Sequence, residues 1–184
     1  NIGGILNRTT IRDDTELFAK DEGPGMCLID KWIRINSKKK YDVNGDIAKS
    51  GNLNKIILDQ YWDIFRTSSP DKKSYDISDF DISFAKGLSL EDGAATLTHH
   101  TANILIAFFK ANEKLRIKEK IILCGGGRKN KFLVDLIKDY NKDIKLIDDY
   151  GIDGDFVESQ AFAYLAIRSY LKLPISFPGT TGVK

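Results

Sequence analysis

The pattern of apolar and polar residues changes along the chain: short β-prone stretches come first, and longer segments with helical spacing follow. Residues 9–12 and 15–19 are β-prone and flank Asp13-Asp14, which predicts a hairpin. We expect the second strand to end near Asp21, because Gly23-Pro24-Gly25 interrupts regular pairing.

Apolar residues then recur at intervals of three and four, the spacing of a helix with one buried face. This spacing predicts helices over residues 26–35, 54–65, a long one from Ser89, and further ones over 131–139 and 156–172. Ser89 with Asp92 three residues on resembles a capping box. The last helix is rich in alanine, so we expect it to pack closely, and Pro174 and Pro178 to terminate it.

Two apolar runs, 120–123 and 144–147, predict strands that alternate with the later helices. Residues 42–51 read as a polar surface segment, and 72–87 as an ordered loop. Strands followed by a strand–helix–strand–helix order predict an α/β architecture. We assign residues 1–184 to one domain, because this length suits a single core.

Composition excludes several classes of partner. Hydrophobic residues make up 42% and charged residues 29%, as in ordinary globular domains, and the formal charge of +2 gives no argument for nucleic acid. No apolar run reaches the roughly 20 residues that span a bilayer, so we expect no membrane association. Cys27 and Cys124 lack metal or disulfide spacing, and no signal peptide is visible. We therefore expect a cytoplasmic protein.

Two glycine turns are candidates for binding a nucleotide. Gly3-Gly4 is followed by an apolar pair and Asn7, and Gly125-Gly126-Gly127 lies between a predicted strand and a predicted helix. Residues without a Cβ let backbone N–H groups approach a phosphate or a ribose. The alternative for the second turn is a tight strand-to-helix connection. Neither turn matches a Walker A loop or a dinucleotide fingerprint.

Acidic residues supply the other candidates. Asp21 stands where a strand meets the Gly23-Pro24-Gly25 loop, so it is either a proton acceptor with room for a substrate or an ordinary turn aspartate. Asp153, Asp155 and Glu158 flank the start of the last helix and are either the polar wall of a substrate pocket or residues that stabilise a helix N-terminus. We read Asp30 as a surface helix residue.

Metal binding has little support in the sequence. His99 and His100 are adjacent and project in different directions from a helix, and they are the two histidines of the chain. We predict no metal site built from protein ligands.

Seven motifs, taken together in their order, resemble one family. They are Asn1-Ile2-Gly3-Gly4-Ile5-Leu6-Asn7, Asp21-Glu22-Gly23-Pro24-Gly25, Lys73-Ser74, Gly87-Leu88-Ser89-Leu90-Glu91-Asp92-Gly93-Ala94-Ala95-Thr96-Leu97-Thr98, Cys124-Gly125-Gly126-Gly127-Arg128-Lys129-Asn130, Gly154-Asp155-Phe156-Val157-Glu158 with Gln160-Ala161-Phe162-Ala163, and Gly179-Thr180-Thr181-Gly182-Val183. Over essentially its whole length the chain resembles the C-terminal half of the anhydro-N-acetylmuramic acid kinases.

The resemblance implies the actin/hexokinase/Hsp70-like ATPase superfamily, in which two ribonuclease-H-like lobes with mixed sheets and flanking helices close on ATP and Mg²⁺. The family opens the 1,6-anhydro ring of anhydro-N-acetylmuramic acid with water and phosphorylates the 6-oxygen, which yields N-acetylmuramic acid 6-phosphate for peptidoglycan recycling. It also implies a homodimer.

The resemblance also implies roles for individual residues. Asp21 corresponds to the catalytic base, which deprotonates the attacking water. Substrate binding falls to Gly23, Gly25 and Glu158. Nucleotide binding falls to Gly3, Gly4 and Asn7 near the phosphates, and to Gly125, Gly126, Gly127 and Asn130 near the adenosine.

Three departures from the family pattern stand out. Glu22 replaces a threonine, which adds a charge beside a site that admits ATP, and Met26 replaces an asparagine. The N-terminal lobe is absent, and the chain starts at the turn itself, so we expect a gap at the central strand of the sheet and no kinase activity from the isolated chain. A degenerate, non-catalytic remnant is the alternative. Another sugar kinase or an actin-like protein fits the motifs less well.

Overall fold

The first two strands form an antiparallel ribbon whose end differs from the prediction. A computed structural model describes residues 1–12, 16–68, 74–114 and 120–181. Strand β1 (Ile5–Arg12) pairs with β2 (Glu16–Pro24), which confirms the two strands; the turn predicted at Asp13-Asp14 lies outside the described residues, as do Lys73 and Gly182-Val183 of the motifs.

Pairing continues past Asp21, and the expected strand end there is wrong. Asp21 lies opposite Asn7, and the next pair is Gly23 with Leu6, so Glu22 is an extra residue in a β-bulge. After the bulge, β1 and β2 remain paired through Gly23 and Pro24, and the last pair is Ile5 with Pro24.

Helices occupy the predicted segments. The helices are α1 (Cys27–Asn36), α2 (Asp46–Ser50), α3 (Lys55–Ser68), α4 (Leu90–Lys114), α5 (Lys131–Tyr140), α6 (Val157–Tyr170) and α7 (Pro178–Thr181). Most of residues 42–51 are at least partly exposed, as predicted, but the segment also contains the unpredicted helix α2 and three buried residues, Asp42, Gly45 and Ala48. Asp42 is buried, and its two carboxylate oxygens accept hydrogen bonds of 2.9 Å from the backbone N–H groups of Ile47 and Ala48.

The long helix α4 joins two hydrophobic clusters. Its first half, with Ala94 and Leu97, packs in one cluster with α1, and its second half, with Ala102, Ile104 and Phe109, packs in the other with α5. Ile2 and Leu6 also belong to the second cluster. The clusters therefore hold the first glycine turn and α1 against the same helix.

The described strands form two small sheets. Strand β3 (Ile122–Leu123) pairs in parallel with β4 (Lys145–Leu146), apart from the β1–β2 ribbon. A cavity of about 730 Å³, the inter-sheet cavity, lies between β1 and β3 and is floored by Ile104, Leu105, Phe108 and Phe109 of α4. The α/β class is confirmed, whereas the described residues do not form one continuous sheet.

Helix α6 is exposed, and the expectation that it packs closely is wrong. None of its residues is buried; Phe162 is 66% and Tyr170 86% exposed. Its apolar side chains lie on several sides of the helix, so no single face matches the body of the domain. Helix α6 ends before Pro174 as predicted, whereas Pro178 begins α7, a position that suits proline. Across the described ranges no helix has the length and apolar character needed to cross a membrane.

Candidate functional site

The two glycine turns meet at one pocket. The Ile2 N–H donates to the carbonyl of Cys124 at 2.7 Å, and the Gly127 N–H donates to the carbonyl of Ile2 at 2.8 Å. These bonds hold the start of the chain against the second turn. A pocket of about 460 Å³, the turn pocket, opens beside them and is lined by Ile2, Gly3, Gly4, Met26, Asp30, Tyr41, Asp42, Val43, Asn44, Gly126, Lys129 and Asn130.

The first glycine turn is bonded to the start of α1. The N–H groups of Gly25 and Cys27 donate to the carbonyl of Gly4, and that of Met26 donates to the carbonyl of Gly3. These donors are therefore used by the turn itself. The turn and α1 form one rigid unit at the edge of the turn pocket.

The three glycines of the second turn differ in what surrounds them. Gly125 has φ of +84°, and a Cβ there would lie 2.1 Å from Oδ1 of Asn1; a Cβ on Gly127 would lie 2.3 Å from Cγ2 of Ile2. A Cβ on Gly126 would meet no heavy atom within 4 Å. Gly125 and Gly127 are thus required for the fold of the turn, while Gly126 faces the open pocket.

Two buried polar atoms lie at the wall of the turn pocket. Asn130 is 3% exposed, and its Oδ1 accepts from the Leu133 N–H at 2.9 Å, which caps α5. Its Nδ2 and the Oδ1 of Asp30 are buried and have no hydrogen-bond partner among the described residues. Burial raises the pKa of Asp30. A wall that offers one donor and one acceptor suits a polar ligand.

Asp30 was read as a surface residue, and that reading is wrong. It lies one helical turn after Met26, with its N–H bonded to the Met26 carbonyl, so both residues face the pocket. The spacing of four residues from Met26, which directly follows the glycine loop, was the signal that could have revealed it.

Asp21 lies outside the turn pocket and the inter-sheet cavity. Its Oδ2 accepts from the Tyr75 N–H at 2.8 Å, which fixes the carboxylate against the segment that follows α3. Beside it, a Cβ on Gly23 would lie 2.6 Å from the Phe65 ring, and one on Gly25 would lie 2.4 Å from the Gly3 carbonyl oxygen. Protein atoms therefore occupy the space next to both glycines.

The remaining predicted residues are dispersed. Asn7 lines the inter-sheet cavity, and Glu158 is exposed on α6. The structure thus brings Gly3, Gly4, Gly126 and Asn130 together at the turn pocket and leaves Asp21, Asn7 and Glu158 apart from it.

Arg128 links the second turn to the acidic segments. Its side chain is 4% exposed and contacts both oxygens of Asp148, at 2.7 and 3.2 Å, and Oδ1 of Asp155 at 3.0 Å. The hydrogen bonds from Arg128 lower the pKa of Asp148 to about 2. Asp155 also pairs with Lys129. Asp155 therefore takes part in ion pairs with the second turn.

Both histidines lie within the fold. His100 is fully buried against the rings of Tyr61, Trp62 and Phe65, and burial lowers its pKa to about 3. Within the described ranges no group of three or more His, Cys, Asp or Glu residues could hold a metal ion.

The first glycine turn precedes β1, the second follows β3, and a pocket opens where the two turns meet. Glycine turns whose backbone groups line a pocket are typical of α/β proteins that bind nucleotides. The family model for "Anhydro-N-acetylmuramic acid kinase" matches residues 1–184. The chain belongs to this family.

Curated relatives agree with the family. Proteins named anhydro-N-acetylmuramic acid kinase from Pelagibacter ubique (strain HTCC1062), Zymomonas mobilis subsp. mobilis and Caulobacter vibrioides are 50%, 40% and 38% identical to the chain. Each match covers 100% of this chain and 51%, 50% and 49% of the relative, respectively. The chain spans about half the length of the curated relatives it matches. The predicted placement in the C-terminal half is not supported by these comparisons.

Proposed function

We propose that the chain supplies one part of an ATP-dependent kinase that opens 1,6-anhydro-N-acetylmuramic acid and phosphorylates it to N-acetylmuramic acid 6-phosphate. The observation that carries the proposal is the turn pocket, where two glycine turns more than a hundred residues apart in sequence converge. The family match adds the substrate class, through the name of the relatives.

In this proposal the turn pocket holds the nucleotide. Gly3 and Gly4 lie near the phosphates, and Gly125 to Gly127 with Asn130 lie near the adenosine. The open surface at Gly126 leaves room for a ligand, and the unpartnered Nδ2 of Asn130 offers a donor to it. Mg²⁺ that accompanies ATP offsets the charge of the phosphates during transfer.

Asp21 is the proposed general base. Its carboxylate takes a proton from the water that attacks the anomeric carbon, and the bond from that carbon to the 6-oxygen breaks. The freed 6-oxygen then attacks the γ-phosphorus, the bond from that phosphorus to the β,γ-bridging oxygen breaks, and ADP leaves. The Tyr75 N–H orients the carboxylate through Oδ2. The proposal also keeps the predicted roles of four further residues: sugar binding by Gly23, Gly25 and Glu158, and phosphate binding by Asn7. Glu158 contacts the sugar only when α6 moves toward it.

The rest of the kinase completes the site in this proposal. Strand β1 and strand β3 both border the inter-sheet cavity, whose width separates the two small sheets. A further strand in this cavity would join them into one ribonuclease-H-like sheet, and a facing lobe would close over ATP.

A chimaera tests the proposal. The 184-residue chain is joined to the complementary half of the Pelagibacter ubique relative, and ADP release is followed with 1,6-anhydro-N-acetylmuramic acid and Mg-ATP. We expect turnover by the chimaera, none by the 184-residue chain alone, and a loss of about 10²- to 10⁴-fold with Asp21→Asn, the usual contribution of a general base.

Asp59→Asn is the matched control. Asp59 is an exposed aspartate of α3 that pairs with Lys55, so its loss should leave turnover unchanged. The assignment of Asp21 is wrong if a folded, active chimaera keeps its rate after Asp21→Asn. A folded but inactive parent chimaera would favour the non-catalytic remnant.

A further inference from the structure

Arg128 lies within the second turn but does not line its pocket. Gly126, Lys129 and Asn130 line the turn pocket, whereas Arg128 is not among the lining residues and its side chain is only 4% exposed. A residue with this placement cannot contact a ligand in the pocket directly. Any effect on the ligand passes through the backbone of the turn.

The guanidinium uses four hydrogen bonds to connect three segments. It donates to the Gly125 carbonyl at 3.1 Å, to both oxygens of Asp148, and to Oδ1 of Asp155. Asp148 follows β4, and Asp155 lies two residues before α6. The planar, forked geometry of arginine matches this bidentate arrangement, and a lysine ammonium cannot reproduce it.

The neighbouring backbone is shaped around this side chain. A Cβ on Gly154 would lie 2.2 Å from Nε of Arg128, and the Gly154 N–H donates to Oδ1 of Asp148 at 3.3 Å. The segment before α6 therefore closes directly over the guanidinium. Because no residue of α6 is buried, these bonds are a principal attachment of its N-terminal end to the body.

We propose that Arg128 is a positioning residue that couples the turn pocket to the segment preceding α6. The proposal rests on the proposed nucleotide site and adds a route from that site to the helix that carries Glu158. A nucleotide that orders Gly126 to Asn130 orders Asp155 through the same guanidinium. Arg128 thus sets the shape of the turn and the position of α6 together.

Hydrogen exchange with and without Mg-ADP tests the coupling in the chimaera, which contains both parts of the proposed site. In the parent protein we expect Mg-ADP to slow exchange in residues 126–130 and in residues 153–158. In Arg128→Lys the response of 153–158 should disappear while that of 126–130 remains, and the affinity for Mg-ADP should fall by about 5- to 10-fold, the usual range for mutations that act at a distance. Circular dichroism verifies that the variant is folded.

Two further variants separate coupling from general stability. Arg34→Lys changes another arginine, which donates to the carbonyl of Lys40 in the segment after α1, and should leave both responses intact. Arg128→Ala should regain the response of 153–158 when millimolar guanidinium is added, since that ion can replace the missing group; a purely structural defect would not show such rescue.

The outcomes distinguish the two proposals. If Mg-ADP protects 126–130 in the parent and Arg128→Lys keeps the response of 153–158, the coupling is wrong while the nucleotide site stands. If Mg-ADP protects neither segment in the parent, both the nucleotide site and the coupling are wrong.

Discussion

Arg8 of β1 and Glu22 of the β-bulge form an ion pair, with Nε of Arg8 2.8 Å from Oε1 of Glu22 and side chains only 23% and 17% exposed. The Arg8 guanidinium also donates to Thr10 and lies over the Phe108 ring, 4.3 Å from its centroid. The resemblance implies threonine at position 22, so Glu22 is an added charge beside the proposed ATP site. Arg8 compensates this charge, and both residues lie on the wall of the inter-sheet cavity.

Restoring the family threonine at position 22 alone should therefore destabilise the chain. Glu22→Thr leaves Arg8 partly buried without its carboxylate, and we expect a loss of about 1 kcal/mol in the free energy of unfolding. Urea unfolding of Glu22→Thr, Arg8→Met and the double variant measures the coupling. Additive losses would show that the pair does not interact.

The pair also changes how the family pattern should be restored. Glu22→Thr with Met26→Asn stays a prediction of raised activity in the chimaera. We expect the gain to be clearest when Arg8 is replaced as well, because the unpaired arginine is then removed. An unchanged rate in a folded triple variant would contradict the view that these departures weaken the site.

Gly126→Ala and Gly127→Ala should affect different properties: the first should lower nucleotide affinity, and the second should lower stability. A methyl group on Gly126 meets no atom within 4 Å, so stability should be nearly unchanged while nucleotide affinity falls. A methyl group on Gly127 collides with Ile2, and overpacking of this kind costs about 1–3 kcal/mol. Calorimetric titration with Mg-ADP and urea unfolding measure both. An unchanged affinity in Gly126→Ala would argue against a ligand at this surface.

Stability should fall on acidification because His100 is buried in its neutral form. Its pKa is lowered from 6.5 to about 3 by burial, so the unfolded chain binds a proton between these values and the folded chain does not. The free energy of unfolding is therefore unaffected by His100 protonation above pH 6.5. Between pH 6.5 and 3 it falls by about 1.4 kcal/mol per pH unit as the pH decreases.

Urea unfolding at several pH values measures this slope. His100→Leu should flatten it between pH 6 and 4, while His99→Gln, which alters the half-buried neighbour, should retain most of it. An equal slope in the parent protein and His100→Leu would show that His100 is protonated in the folded state.

Asp30→Asn should raise stability and lower nucleotide affinity together. Burial raises the pKa of Asp30, so its ionised form opposes folding at neutral pH, and an amide removes that cost. The stabilisation should be present above the raised pKa of Asp30, fade as the pH falls through it, and be absent below 3.8, where the carboxyl is neutral in both states. Thermal unfolding at pH 7 and pH 3 measures it, and a destabilised variant at pH 7 would contradict this assignment.

Much of the secondary structure was predictable, because helical and strand spacing are local properties. The apolar intervals of α1, α3, α4 and α5 located these helices correctly. Helix α2 was missed because Asp42 looks like a surface residue in sequence, whereas its carboxylate is buried and accepts hydrogen bonds from the first turn of this short helix.

The candidate site was only partly predictable. The glycine turns were found from composition and order, and the structure joins four of their residues at one pocket. Asp30 was missed because it stands on a helix face that only the fold turns toward the second turn. The role of Asp21 stays a prediction, and the hydrogen bond that its carboxylate accepts from the Tyr75 N–H spans 54 residues, so no local pattern indicates it.

The sequence by itself determined the order of helices and strands, the two glycine turns and the family, since these depend on residue type and short-range spacing. The tertiary structure decided which side chains meet: Glu22 with Arg8, Arg128 with Asp148 and Asp155, and Asp30 with Asn130 at one pocket. It also left α6 exposed despite its apolar composition. The physical reason is that burial and pairing depend on how distant segments close on one another, which periodicity within a segment does not specify.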